Sequence, residues 1–124
     1  MAKILVIDDE QSIRNLLDIL LRRKGYDVVL ADSGRKGLDL FRRERPDVIV
    51  LDLKMPEMDG LTVLRQIRIL DPKKPVIVLT GAGTAEAEQQ VRALGVTEYV
   101  EKEFSMHLLG DSLKRLLNNP NPSA

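Results

Sequence analysis

The chain has 124 residues, the length of one domain, and 44% of them are hydrophobic, enough for a core without disulfide staples. Nineteen basic residues balance nineteen acidic ones, so no global field favours nucleic acid or an anionic membrane surface. Cysteine is absent, which excludes a disulfide framework, a thiolate nucleophile and a cysteine metal site.

The first apolar run, Ile4-Leu5-Val6-Ile7, is continuous and stops at Asp8-Asp9-Glu10. It is too short for a secretory signal, and no segment approaches the length of a membrane span. The expectation is a cytoplasmic protein with no membrane partner and no direct contact with nucleic acid. Two similar tetrads follow, Val48-Ile49-Val50-Leu51 and Val76-Ile77-Val78-Leu79. Unbroken runs rich in β-branched residues predict strands covered on both faces, at the centre of a parallel sheet. The weaker runs Asp27–Ala31 and Thr97–Val100 predict edge strands.

Helical patterns lie between the strands. Ile13, Leu16, Leu17, Leu20 and Leu21 recur at three and four, and Lys24-Gly25 supplies a cation and a left-handed cap. Gly37, Leu38 and Phe41 mark a second helix, closed by Pro46. Leu61, Leu64, Ile67 and Ile69 mark a third, followed by a turn over residues 71–75. Ala85, Ala87, Val91, Ala93 and Leu94 mark a fourth, capped by Gly95. Met106, Leu109, Leu113, Leu116 and Leu117 mark a fifth.

Five β-α units predict an α/β fold: a doubly wound, flavodoxin-like parallel sheet of five strands in the order 2-1-3-4-5, with five helices. Residues 1–118 form the domain. Residues 119–124, polar and broken by proline, read as a disordered tail or the stub of a linker.

In such a sheet, ligands bind beyond the carboxyl ends of the strands where the order reverses, here between the first and third strands. The first strand ends in Asp8-Asp9, the third in Asp52 and the fourth in Thr80-Gly81, while the fifth leads into Lys102. Three carboxylates together repel one another and hold protons unless a cation joins them. A hard divalent ion with oxygen ligands, Mg²⁺, suits that set. A carboxylate beside such an ion can act as a nucleophile and form an aspartyl phosphate. Lys102 and the Thr80 hydroxyl would then bind the charged phosphoryl oxygens.

These motifs, with Met55-Pro56 and Asp59-Gly60 after Asp52, Ala82 after Gly81, and Tyr99 three residues before Lys102, resemble a receiver domain of the two-component response regulators. The likeness runs to about Leu117. It implies that Asp52 is the phosphoacceptor, that Asp9 binds Mg²⁺ directly, and that Asp8 does so largely through water. The Lys54 backbone carbonyl would complete the metal ligands. Lys102 would pair with the phosphoryl group. Thr80 would swing toward it after transfer, and Tyr99 would turn into the space released. Gly81 matches the small residue the family keeps beside the phosphoryl site. The likeness further implies a histidine kinase or phosphotransfer protein as donor. It also implies a switched surface of the fourth helix, fifth strand and fifth helix. That surface would meet an output domain or partner, or a second copy on phosphorylation. The domain is regulatory rather than an enzyme, apart from chemistry on its own acceptor.

Two positions depart from the family pattern. Glu103 follows Lys102, where the family has a proline with a cis bond. A non-proline cis bond costs about 3 kcal/mol, so a trans bond and a rearranged loop from Glu101 to Ser105 are expected. Lys54, two residues past the acceptor, could screen the phosphoryl group from water or simply extend into solvent, and Ala82 is too small to position water. A fairly long-lived phosphoryl state is expected.

Rival readings fit less well. A haloacid-dehalogenase-type phosphatase needs a second acid two residues after its nucleophile, where Lys54 stands. A flavodoxin-like electron carrier would place Asp8-Asp9-Glu10 against the flavin phosphate. A pseudo-receiver that docks without turnover is kept alive only by Glu103.

Overall fold

The three apolar tetrads become strands because nothing in them tolerates water on either side. In the computed structural model, which describes residues 2–81, 84–96, 98–101 and 115, they form β1 (Lys3–Ile7), β3 (Val48–Leu51) and β4 (Val76–Thr80). Every residue from Ile4 to Ile7, and from Val76 to Thr80, is fully buried. Burying one such aliphatic side chain contributes about 2 kcal/mol. The weaker runs form β2 (Asp27–Ala31) and β5 (Glu98–Glu101), and they lie at the two edges of one parallel sheet ordered β2-β1-β3-β4-β5. Both the strand order and the edge positions are as expected.

Alternate residues of each strand feed opposite faces. Leu5, Ile7, Ile49, Leu51, Val76 and Val78 point to one core, which α2 (Gly34–Glu44), α3 (Gly60–Leu70) and α4 (Ala85–Ala93) cover with Leu38, Phe41, Leu64, Ile67 and Val91. Ile4, Val6, Val48, Val50, Ile77 and Leu79 point to the other, where α1 (Gln11–Arg23) contributes Leu17 and Leu21. Helices therefore lie on both faces. The expected fifth helix and the tail lie outside the described residues, apart from Arg115, which is helical and exposed.

The helix ends follow local chemistry. Gly25 and Gly95 take the left-handed conformation, at φ 92° and 80°, in the turns after α1 and α4. Helix α2 stops just before Pro46, as expected. Arg45 itself adopts the left-handed cap, φ 49°, and its amide donates to the Phe41 carbonyl. Four residues of the expected apolar stripes face out instead: Ile69, Leu16 and the small Ala85 and Ala93 of α4. Ile69 is 74% exposed because α3 turns the face of Val63, Leu64 and Ile67 inward, and a residue two positions past Ile67 lies across the helix axis. Leu16 is 40% exposed, since Ile13, Leu17 and Leu21 already fill the contact with the sheet. Among the described residues, no helix is long and apolar enough to cross a membrane.

Candidate functional site

The order of the sheet reverses between β1 and β3, and Asp8 and Asp52 follow directly from those strands. The Asp52 amide donates to the Ile7 carbonyl at 2.9 Å, and the Asp8 amide donates to the Ala31 carbonyl at 3.1 Å. The strand ladder thus continues one residue past each strand and delivers both acids to the same edge. Asp8 is 1% exposed and Asp52 2% exposed. Burial of two carboxylates so close together demands a compensating cation or proton.

A third acid joins them. Carboxylate oxygens of Asp8, Glu10 and Asp52 all lie within 4.8 Å of one another. Asp9, half-buried between Asp8 and Glu10, is not among them. The sequence alone gives Glu10 no separate role. Its signal was only its place in the Asp8-Asp9-Glu10 run. The backbone supplies the cause: the Glu10 amide donates to Asp8 Oδ1 at 2.9 Å, an Asx-type turn that folds residue i+2 back beside residue i. The donor set is all oxygen, which suits a hard divalent cation.

Thr80 ends β4, fully buried, in register with Glu101 of β5. Gly81 follows it and is exposed. Lys54 is exposed, and its amide lies 3.4 Å from Asp52 Oδ1. Its side chain lines a cleft of about 580 Å³ with Met55, Pro56, Thr84, Ala87 and Val91, between the loop after β3 and the start of α4. Asp59 caps α3, accepting the Thr62 amide at 2.9 Å, which fits turn chemistry and a helix start. Tyr99 pairs in register with Val78, and the Arg92 guanidinium of α4 lies 5.9 Å from its ring centroid. Glu88, one helical turn earlier, holds Arg92 at 2.8 Å. Ala82, Lys102 and the Lys102–Glu103 bond lie outside the described residues.

The chain is similar to known proteins in sequence and in fold. The response regulator receiver domain family matches residues 4–114. Sporulation initiation phosphotransferase F of Bacillus subtilis is 35% identical over 115 residues, covering 93% of each chain. Response regulator MprA of Mycolicibacterium vanbaalenii is 38% identical over 121 residues, covering 98% of this chain and 52% of that protein. The chain therefore spans nearly all of the first relative and about half the length of the second. Among solved structures, the chemotaxis protein CheY4 of Vibrio cholerae superposes with a TM-score of 0.87 at 34% identity, covering 94% of this chain and 99% of that one. The Thermotoga maritima response regulator TrrA, solved in complex with Mg²⁺–BeF, gives a TM-score of 0.84 at 34% identity over 94% of this chain and 100% of that one. With the acid cluster at the reversal point of the sheet, these likenesses identify the chain as a member of the response regulator receiver domain family, the phosphoacceptor domains of two-component signalling.

Proposed function

We propose that Asp52 accepts a phosphoryl group from a phosphohistidine of a histidine kinase or phosphotransfer protein. The observation that carries this reading is the burial of Asp52 within carboxylate reach of Asp8 and Glu10 at the β1–β3 edge. A carboxylate oxygen of Asp52 attacks phosphorus as the phosphorus–nitrogen bond breaks, and that bond's electron pair returns to the donor imidazole. The product is an acyl phosphate on Asp52.

Asp8, Asp9 and Asp52, with the Lys54 carbonyl, are the ligands for Mg²⁺ in this reading, and Glu10 adds a fourth acid at the same edge. A bound Mg²⁺ neutralises charge on the transferring group. The chain's own groups do the rest. Lys102 pairs with the phosphoryl oxygens, Thr80 donates its hydroxyl to one of them, and Gly81 leaves them room. Lys54 and Ala82 leave little to position an attacking water, which favours a long-lived phosphoryl state.

Movement of Thr80 toward the phosphoryl group and of Tyr99 inward would bias a two-state equilibrium of α4, β5 and the last helix. That surface meets an output domain, a partner protein or a second phosphorylated copy. The test is intact mass after incubation with Mg²⁺ and an acyl phosphate, beside Asp52→Asn. Wild type gains one phosphoryl group and the variant none. No gain in wild type, or equal gain in both, sinks the assignment of Asp52.

A further inference from the structure

Helix α1 begins without the usual device. Its N-cap residue, Glu10, makes no side-chain cap bond, and its first turn carries no acid. Such an end is ordinarily loose. Yet the turn from Asp8 to Glu10 must be held in place, because it sets two of the three clustered carboxylates.

Arg14 touches both ends of that turn. Its amide donates to the Glu10 carbonyl at 3.0 Å, the first helical bond. Its guanidinium reaches back across the turn, and Nη1 donates to the Asp8 carbonyl at 2.9 Å, in a partly buried setting. Asp8 is thereby fixed at three points: its amide to Ala31, its carbonyl to Arg14 and its Oδ1 to the Glu10 amide. The Arg14 charge also reaches Asp32, just past β2. Asp32 is held below the usual carboxylate range first by its hydrogen bond from Lys36, then by the charges of Lys36 and Arg14.

We propose that Arg14 is a positioning residue for the acid site, clamping the Asp8–Glu10 turn through the Asp8 carbonyl so that both carboxylates face Asp52. The proposal rests on the reading of that cluster as a Mg²⁺ site. Charge and geometry then predict opposite signs. A cation beside a metal site repels the metal, so if Arg14 acted only through its charge, removing it would tighten Mg²⁺ binding. A clamp acts in the other direction, since losing a partner that orients a ligand weakens metal binding.

The experiment is calorimetric titration of Mg²⁺ into wild type, Arg14→Ala and Arg14→Lys, with thermal unfolding of each in the absence of metal. Arg14→Ala is expected to weaken Mg²⁺ binding about tenfold. Arg14→Lys, which keeps the charge and one possible bond but not the planar fork, is expected to fall between the two. An unchanged or tighter affinity in Arg14→Ala, with wild type binding Mg²⁺ normally, overturns the clamp alone. Absence of Mg²⁺ binding in wild type overturns the reading of the site and the clamp with it. If Arg14→Ala fails to fold, Arg14→Lys decides: an affinity equal to wild type overturns the clamp.

Discussion

Gly60, the first residue of α3, lies directly against the backbone of Asp52. Its amide donates to the Leu53 carbonyl at 2.8 Å, and a Cβ built on it would overlap the Asp52 carbonyl oxygen and come within 2.6 Å of the Leu53 Cα. Those are backbone atoms and cannot rotate away. The contact ties the start of a helix to the backbone of Asp52, so the absence of a side chain at Gly60 is a condition for the position of that acid.

Gly60→Ala should therefore damage both stability and the site. Forcing a methyl group into this contact is expected to cost about 3 kcal/mol. The urea midpoint should fall, and phosphorylation from an acyl phosphate should slow even where the variant remains folded. A midpoint equal to wild type would show that the backbone yields freely here.

Arg68 is a second tie, at the other end of α3. Its guanidinium donates to four carbonyls: Leu94 and Gly95 at the end of α4, and Asp71 and Lys74 in the turn before β4, at 2.8 to 3.2 Å. Burial pushes its pKa below the ordinary guanidinium value, and the nearby Asp71 works against that shift. Helix α4 buries only Val91 fully, so this clip is a large part of what holds its C-terminal end. Arg68→Ala is expected to destabilise the protein by about 2 kcal/mol, after the freed carbonyls are rehydrated. Amide hydrogen exchange should accelerate in α4 more than in α3. Equal acceleration throughout the chain would mean that Arg68 supports global stability without holding α4 in particular.

Asp32 offers a pH test with a defined sign. Its pKa lies below the ordinary 3.8, chiefly through the hydrogen bond from Lys36, which lies 3.2 Å from its other carboxylate oxygen. A carboxylate held low in the folded state is ionised in both states above 3.8, and its full contribution is present there. As the pH falls below that value, the unfolded chain takes the proton first, and the contribution is lost through the folded pKa. The pair is exposed and screened by salt, so the effect on stability is small. Lys36→Met should move the Asp32 titration, followed by carboxyl NMR, back up toward 3.8. Added salt should act in the same direction on wild type. A titration indifferent to both would remove Lys36 as the cause.

Much of the architecture was legible because it depends on composition over short windows. A tetrad such as Val76–Leu79 has no polar face to expose, so it must lie inside a sheet, and the weaker runs must lie at its edges. Asp8, Asp52 and Thr80 were legible as buried polar residues because each sits where a buried strand ends. The stripes were less reliable at their margins. Ile69 looked apolar enough to be core, but a helix has one inward face, and Val63, Leu64 and Ile67 occupy it.

By itself the sequence determined the strand order and the delivery of Asp8 and Asp52 to one edge of the sheet, because burial and alternation leave few other solutions. Only the tertiary structure decided that Glu10 rather than Asp9 joins Asp8 and Asp52 in one cluster, and that Arg14 spans the turn which places it. Spacing along a chain fixes which residues can meet. Where a carboxylate points is set by the dihedral angles of its turn, and those are chosen by hydrogen bonds that form only once the strands have been brought side by side.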